Sequence, residues 1–229
     1  WFILDSIIII YSGSKLDCWK KEGKEVMNKY YFEGKTQEQA INLALYELNI
    51  SEDDLIVNNV EDKSSLLKKN VKIEVLNIKE IISFIKDTLN KITELMGAKS
   101  NLEVKRREKS ISVTIFSENN AILIGKNGKN VAALQLLIRQ MVNSKLKEPL
   151  SIIIDVGNYK EKRARSIEYL AKKLAREAYK TKTEVTMDSM NSYERRIVHE
   201  VLADDKYVYT ESIGEEPNRK VVIKLKESK

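Results

Sequence analysis

Two glycines three residues apart form the stretch of this chain best suited to hold a charged ligand. Gly125 and Gly128 enclose Lys126 and Asn127, and Lys129 follows directly. Neither glycine carries a side chain that would keep a nucleic-acid backbone away from the main chain. An amphipathic pattern begins after the second glycine, so the turn opens a helix whose free N–H groups and positive dipole end attract phosphate. These five residues are predicted to bind a phosphodiester backbone, although the tetrapeptide alone would more often be an ordinary connection between two helices.

A second candidate group lies near the C-terminus. Asn191 and Glu194 have the spacing of a capping box for a helix through about Leu202, which places Arg195 and His199 four residues apart on one face. A guanidinium beside an imidazole suits phosphate, and binding should strengthen as the pH falls from about 7.5 to 6, where an unperturbed imidazole titrates. A lone histidine on a helix can equally be a packed residue, and both interpretations stay open.

The reactive residues support neither catalytic nor metal chemistry. The one cysteine, Cys18, and the one histidine, His199, fall in different predicted domains and have no third partner. The acidic doublets are adjacent in sequence, so their carboxylates diverge as those of turn and capping residues do. These doublets are Asp53-Asp54, Asp204-Asp205 and Glu215-Glu216. We therefore predict a protein that is not an enzyme and uses no metal, cofactor or small-molecule substrate.

Charge is distributed unevenly along the 229 residues. Residues 1–78 carry 10 basic and 13 acidic side chains (net −3), residues 79–158 carry 13 and 8 (net +5), and residues 159–229 carry 17 and 13 (net +4). A positive surplus confined to the later two thirds favours nucleic acid as the partner. A single cysteine also fits a reducing compartment.

The first third of the chain predicts an extension followed by a small acidic domain. The apolar run within residues 1–28 is too short to span a bilayer, and organised sequence begins after Met27, so we expect residues 1–26 to be an upstream extension. A membrane-contacting arm is the alternative. Residues 29–77 predict a strand, a helix capped by Thr36 and two further strands, with a mobile polar segment at 61–70.

Residues 78–158 predict the order helix, strand, strand, helix, glycine loop, helix, strand. Asn77 and Glu80 are spaced as a capping box for the first helix, and the apolar run Leu150–Val156 indicates a buried strand. A type II KH domain requires this order, and KH domains clamp single-stranded nucleotides with a Gly-x-x-Gly loop between two helices. Residues 159–229 predict a long basic helix, a short strand, the helix capped by Asn191 and a final hairpin. The predicted fold class is therefore α+β, with three small α/β domains in series and a type II KH domain in the middle.

Residues 27–229 resemble the Jag family, the SpoIIIJ-associated proteins of Gram-positive bacteria. The matching stretches are the glycine loop, Met190–His199 and Gly214–Arg219. The resemblance implies a Jag N-terminal domain at 29–77, a KH domain at 78–158 and an Arg-x-x-x-His nucleic-acid-binding domain at 159–229. It also implies RNA contacts by four residues of the last domain, namely Arg195, Arg196, His199 and Arg219. The family's Gly-Phe-Leu-Gly turn is missing from residues 62–70, and Ser192 stands where the family usually has proline.

The resemblance also implies a role and partners. It implies a cytoplasmic protein that binds single-stranded RNA, with single-stranded DNA as a further ligand, and acts as an RNA chaperone or post-transcriptional regulator. The family's links to cell elongation, cell-wall synthesis and sporulation come with it. The implied partners are a second small KH protein or a second copy of this chain, and the membrane insertase, which implies a position near the membrane or division site. The alternative is a scaffold at the insertase that pairs through its KH domain and binds little RNA.

Overall fold

The computed structural model describes residues 27–62 and 70–226 and confirms a mixed α+β fold. The described residues form three separate three-stranded sheets. The N-terminal apolar run, Cys18 and most of the polar segment at 61–70 lie outside the described residues. No helix within the described ranges is long and apolar enough to cross a membrane.

The N-terminal elements form an antiparallel sheet covered by one helix. They are β1 (Tyr30–Gly34), α1 (Gln37–Leu48), a 3₁₀ turn (Glu52–Asp54), β2 (Leu55–Asp62) and β3 (Val71–Asn77), with strand order β1-β3-β2. The helix begins as predicted, because the Thr36 hydroxyl accepts a hydrogen bond from the main-chain N–H of Gln39 at 3.2 Å. Ala40 and Ala44 pack in the core with Phe32, Ile73 and Val75.

The middle of the chain has the predicted KH order. Its elements are α2 (Ile78–Leu95), β4 (Ser100–Arg107), β5 (Ser110–Ser117), α3 (Asn120–Ile124), α4 (Lys129–Asn143) and β6 (Ser151–Val156), with strand order β4-β5-β6. The predicted buried strand is present as β6, and one of its faces is covered. Ile152 and Ile154 are buried but Ile153 is 41% exposed, which is the alternation of a sheet with one covered face.

The start of α2 differs from the sequence prediction. Asn77 is the last residue of β3 and also the N-cap of α2, and its side chain accepts a hydrogen bond from the N–H of Lys79 at 2.9 Å. The predicted reciprocal contact from Glu80 does not form. The Glu80 carboxylate instead accepts hydrogen bonds from the Tyr30 hydroxyl at 2.5 Å and the Asn28 N–H at 3.1 Å. The Glu80 carboxylate, which the local pattern assigned to the cap, is therefore bound by donors from β1 and from the residues just before it.

The described residues up to Leu123, together with Asn130–Ile154, pack as one compact unit. A buried carboxylate, Asp54, pairs in this unit with Arg106 at 2.5 Å and with Lys79 at 2.8 Å. The hydrogen bond from Lys79 is the main reason why the pKa of Asp54 falls to about 2. The N-terminal sheet and the KH elements of this unit are therefore joined by ion pairs to a buried carboxylate as well as by the chain.

The second compact unit comprises Ile124–Lys129 and the described residues from Asp155 onward. Its elements are α5 (Tyr159–Thr181), β7 (Val185–Ser189), α6 (Ser192–Leu202), β8 (Val208–Ile213) and β9 (Lys220–Leu225), with strand order β7-β9-β8. Small residues on α5, Ala171 and Ala178 among them, pack in one core with Val198 and Ile223. The capping box predicted for α6 is present, with both the Asn191 and the Glu194 contacts formed.

Candidate nucleic-acid interface

The glycine loop is a tight turn built from left-handed backbone conformations. Gly125, Asn127 and Gly128 have φ values of 70°, 54° and 76°. Glycine adopts this region freely, and asparagine is among the few other residues that tolerate it. The Gly128 N–H donates to the Gly125 carbonyl at 3.3 Å and closes the turn. The side chains of Lys126 and Lys129 are exposed, and α4 begins at Lys129, so the positive end of a helix dipole and two cations occur within one short segment.

Gly128 is also fixed by what packs against it. A Cβ atom at this position would lie 2.7 Å from Cε1 of Tyr159, the first residue of α5. Glycine is therefore required here by contact as well as by φ. Burial raises the pKa of the Tyr159 phenol above its ordinary value, so the ring stays neutral at physiological pH.

A second residue of α5, Arg163, reaches the loop from one turn further along the helix. Its Nη2 donates to Oδ1 of Asn127 at 3.5 Å, and its Nε donates to Oε1 of Glu194 at 2.7 Å. Glu194 is almost fully buried and belongs to the capping box of α6. The guanidinium thus links the glycine loop to the start of α6. Sequence reasoning treated the cations of α5 as a basic surface and missed this residue. The spacing of Tyr159 and Arg163 on one helix face was the available signal.

Arg195 lies inside the fold. Its side chain is 9% exposed, and Nη1 is 2.8 Å from both the Met190 carbonyl and Oε1 of Glu216. These contacts join Met190, two residues before α6, to the loop between β8 and β9. A direct phosphate contact by Arg195, as the sequence predicts, would have to compete with both.

His199 is held by two hydroxyl groups of β8. Its Nδ1 is 2.6 Å from the Thr210 hydroxyl, and its Nε2 is 2.8 Å from the Ser212 hydroxyl. Burial, followed by the charge of Arg195, lowers the pKa of the imidazole below its ordinary value of 6.5. His199 is therefore neutral at pH 7. Any protonation-linked change in binding moves to lower pH than the range expected from sequence.

The remaining predicted cations are exposed. Arg196 pairs along α6 with Glu200 at 2.7 Å, and Arg219 has an exposed side chain while its carbonyl accepts the Met190 N–H at 3.1 Å. Within the described ranges, no group of three or more histidine, cysteine, aspartate or glutamate side chains could hold a metal ion. The surface can therefore offer main-chain N–H groups and cations to an anionic chain.

Three family models match successive parts of the chain. The Jag N-terminus model matches residues 32–76, the KH domain model of KhpA/KhpB matches residues 83–154, and the R₃H (Arg-x-x-x-His) domain model matches residues 165–225. Tyr159 and Arg163 lie between the last two matches.

Curated relatives cover most of the chain. A protein of Clostridium symbiosum named RNA-binding protein KhpB is 36% identical over 204 residues, which cover 84% of this chain and 89% of that protein. A Bacillus subtilis protein of the same name is 30% identical over 200 residues, covering 84% of this chain and 96% of the relative. A third, from Lactiplantibacillus plantarum, is 31% identical over 140 residues, covering 61% of this chain and 44% of the relative.

Proposed function

We propose that this chain, which belongs to the Jag family whose curated members are named RNA-binding protein KhpB, binds single-stranded RNA through the Gly125–Gly128 loop. The observation that carries the proposal is the geometry of this loop, where three positive-φ residues form a turn beside the exposed Lys126 and Lys129. A turn of this kind lets a phosphodiester approach the main chain, and the start of α4 adds a favourable dipole. The bases stay free to be read elsewhere because only the backbone is held.

The second part of the proposed site lies on the Arg-x-x-x-His domain. Arg196 and Arg219 are exposed and would contact phosphate directly. Arg195 and His199 would act mainly by holding the loop 214–217 and β8 in place, since their polar atoms already have protein partners. Single-stranded DNA would bind to the same cations, with lower affinity wherever the 2′-hydroxyl is contacted.

The finer roles rest on the family resemblance. We propose a cytoplasmic RNA chaperone or post-transcriptional regulator that pairs with a second small KH protein or with itself. The links to cell elongation, cell-wall synthesis, sporulation and the membrane insertase belong to the same proposal, as does a position near the membrane or division site. No reaction is part of the proposal, which rests on relatives named as RNA-binding proteins.

The test is a charge reversal in the loop that spares both glycines. Lys126→Asp with Lys129→Asp keeps the backbone, and an aspartate in the first turn of α4 favours the helix. Asn127 is left unchanged because an aspartate there would pair with Arg163. We expect affinity for a labelled RNA of about ten randomised nucleotides to fall at least about tenfold at about 0.1 M salt.

The matched control is Lys86→Asp with Lys99→Asp, which changes the net charge equally at exposed positions of the other compact unit. It should weaken binding far less. If the wild-type protein fails to bind the pool, or if both double variants lose affinity equally, the loop is not the RNA site. Tight association with a partner protein under those conditions would favour the scaffold alternative.

A further inference from the structure

The glycine loop and α6 are joined by a guanidinium that neither matched domain includes. This residue is Arg163 on α5, which lies between the end of the KH match at residue 154 and the start of the Arg-x-x-x-His match at residue 165. Its side chain is 27% exposed, so it is held in place by the protein yet open to a ligand on one side. One terminal nitrogen of this guanidinium, Nη2, donates a hydrogen bond to Asn127 of the loop.

The hydrogen-bonding capacity of Arg163 is only partly used. A guanidinium carries five N–H donors in a planar fork. Nε is committed to Glu194 at 2.7 Å, and Nη2 makes only a long contact to Asn127 at 3.5 Å. Within the described part of the chain, Nη1 has no hydrogen-bond partner. Nη2, the nitrogen that reaches Asn127 of the loop, has a second N–H that a phosphate bound at the loop could accept.

We propose that Arg163 is a phosphate ligand of the RNA strand held by the loop, so that the main chain of Gly125–Gly128 and this guanidinium form one composite subsite. The inference rests on the proposed function, because it assigns a further residue to the same RNA site. The ligand class is a phosphodiester of a single strand. The two terminal N–H donors of an arginine can contact two phosphate oxygens at once, which lysine cannot do.

Two neighbours fix Arg163 and the loop in position. Glu194 is 4% exposed and is itself held by the capping box of α6, so it orients the guanidinium rather than competing as a free anion. Tyr159 packs against Gly128 and keeps the loop at the distance from α5 that lets Arg163 reach Asn127. Asp155, four residues before the start of α5, accepts hydrogen bonds from the N–H groups of Val156 and Lys160. A phosphate would thus bind to an Arg163 guanidinium that is already held in position by the buried carboxylate of Glu194.

The alternative is that Arg163 only braces the fold through Glu194. The two roles differ in their salt dependence, because a residue that neutralises a phosphate releases a counterion when RNA binds, whereas a brace does not. Arg165 supplies the matched control. It lies two residues further along the same helix, is exposed, and pairs with Glu161 by an i, i+4 contact at 2.5 Å.

The experiment compares Arg163→Gln, Arg163→Lys and Arg165→Gln in the full chain, using the randomised RNA pool at several salt concentrations. We expect Arg163→Gln to weaken binding at least about tenfold and to reduce the slope of log K against log salt by about 0.7, the value for one phosphate contact on a single strand. Arg163→Lys keeps the charge and the Glu194 pair, so it should fold like the wild type and retain the slope with intermediate affinity. Arg165→Gln should leave the slope and affinity nearly unchanged.

Several results would overturn the inference. One is a loss of affinity in Arg163→Gln with an unchanged salt slope, which would indicate a brace. Another is an equal effect of Arg163→Gln and Arg165→Gln, which would indicate general charge. If Arg163→Gln is unfolded by circular dichroism, the decision passes to Arg163→Lys, where wild-type affinity would exclude the two-pronged contact. Failure of the proposed function gives different results: the wild type does not bind the RNA pool, or the charge reversal at Lys126 and Lys129 leaves RNA affinity unchanged.

Discussion

Removing the guanidinium of Arg195 should damage the fold of the C-terminal domain more than it changes RNA contacts. Arg195→Ala deletes a hydrogen bond to the Met190 carbonyl and an ion pair to Glu216, both at 2.8 Å. A buried hydrogen bond from a charged group contributes about 1.5–3 kcal/mol. Glu216 is 59% exposed, so its pair adds at most about 1 kcal/mol. We expect the free energy of unfolding to fall by about 2–3 kcal/mol.

The assay separates stability from phosphate contact. Urea unfolding followed by circular dichroism gives the stability loss, and RNA binding at several salt concentrations gives the number of phosphates neutralised. Arg196→Ala is the control, because it removes the same charge from the next position, where the side chain is exposed. We expect Arg195→Ala to be destabilised with an unchanged salt slope, and Arg196→Ala to be stable with a reduced one.

One outcome would refute this reasoning. If Arg195→Ala unfolds like the wild type while its salt slope falls by about 0.7, then Arg195 contacts phosphate and its buried pairing contributes little. The sequence-based prediction of a direct contact would then be the correct one.

Two further predictions concern the loop and the N-terminal unit. Gly128→Ala must adopt φ near 76° and places its Cβ 2.7 Å from the Tyr159 ring, so RNA affinity should fall, and Tyr159→Ala in the same chain should recover the part caused by the clash. If Gly128→Ala lowers RNA affinity and melting temperature equally with Tyr159 present and with Tyr159→Ala, the clash with the ring is not the cause of the loss. For Asp54, the pKa of about 2 in the folded state lies below the ordinary aspartate value of 3.8, so the unfolded chain binds protons first as the pH falls. The stability that the Asp54 carboxylate contributes is present above about pH 4, and on the order of 1–2 kcal/mol of it is lost as the pH falls toward 2. Urea unfolding should therefore show the difference in unfolding free energy between the wild type and Asp54→Asn shrinking across that range.

The order of elements followed from the sequence because it depends on local patterns. Thr36 and Asn191 cap their helices as predicted, and α6 ends at Leu202. Periodicity also located the glycine loop between two helices, since it needs only a count of apolar positions along the chain.

What the sequence could not supply were the partners of polar side chains. Glu80 has the right spacing for a capping box, yet its carboxylate accepts a hydrogen bond from the hydroxyl of Tyr30, which is 50 residues away in sequence. Arginine is a residue type that often binds phosphate, yet in the folded chain the guanidinium of Arg195 is bound to the Met190 carbonyl and the Glu216 carboxylate. In the sequence, Arg163 is one of many cations on α5, and only its hydrogen bonds to Glu194 and Asn127 distinguish it from the others. Choosing between a surface charge and a site residue requires distances between residues that are far apart in sequence.

The absence of any linker between β3 and α2 has a consequence for how this chain can change over evolutionary time. Because Asn77 ends the strand and caps the helix, the rotational setting of α2 is fixed by the register of β3. One inserted residue at this junction would turn the helix by about 100° about its axis and carry Ile81, Ile85 and Leu89 away from the core. Insertions and deletions should therefore be rare at residues 77 and 78, and a domain exchange cut at that point would yield a helix facing the wrong way.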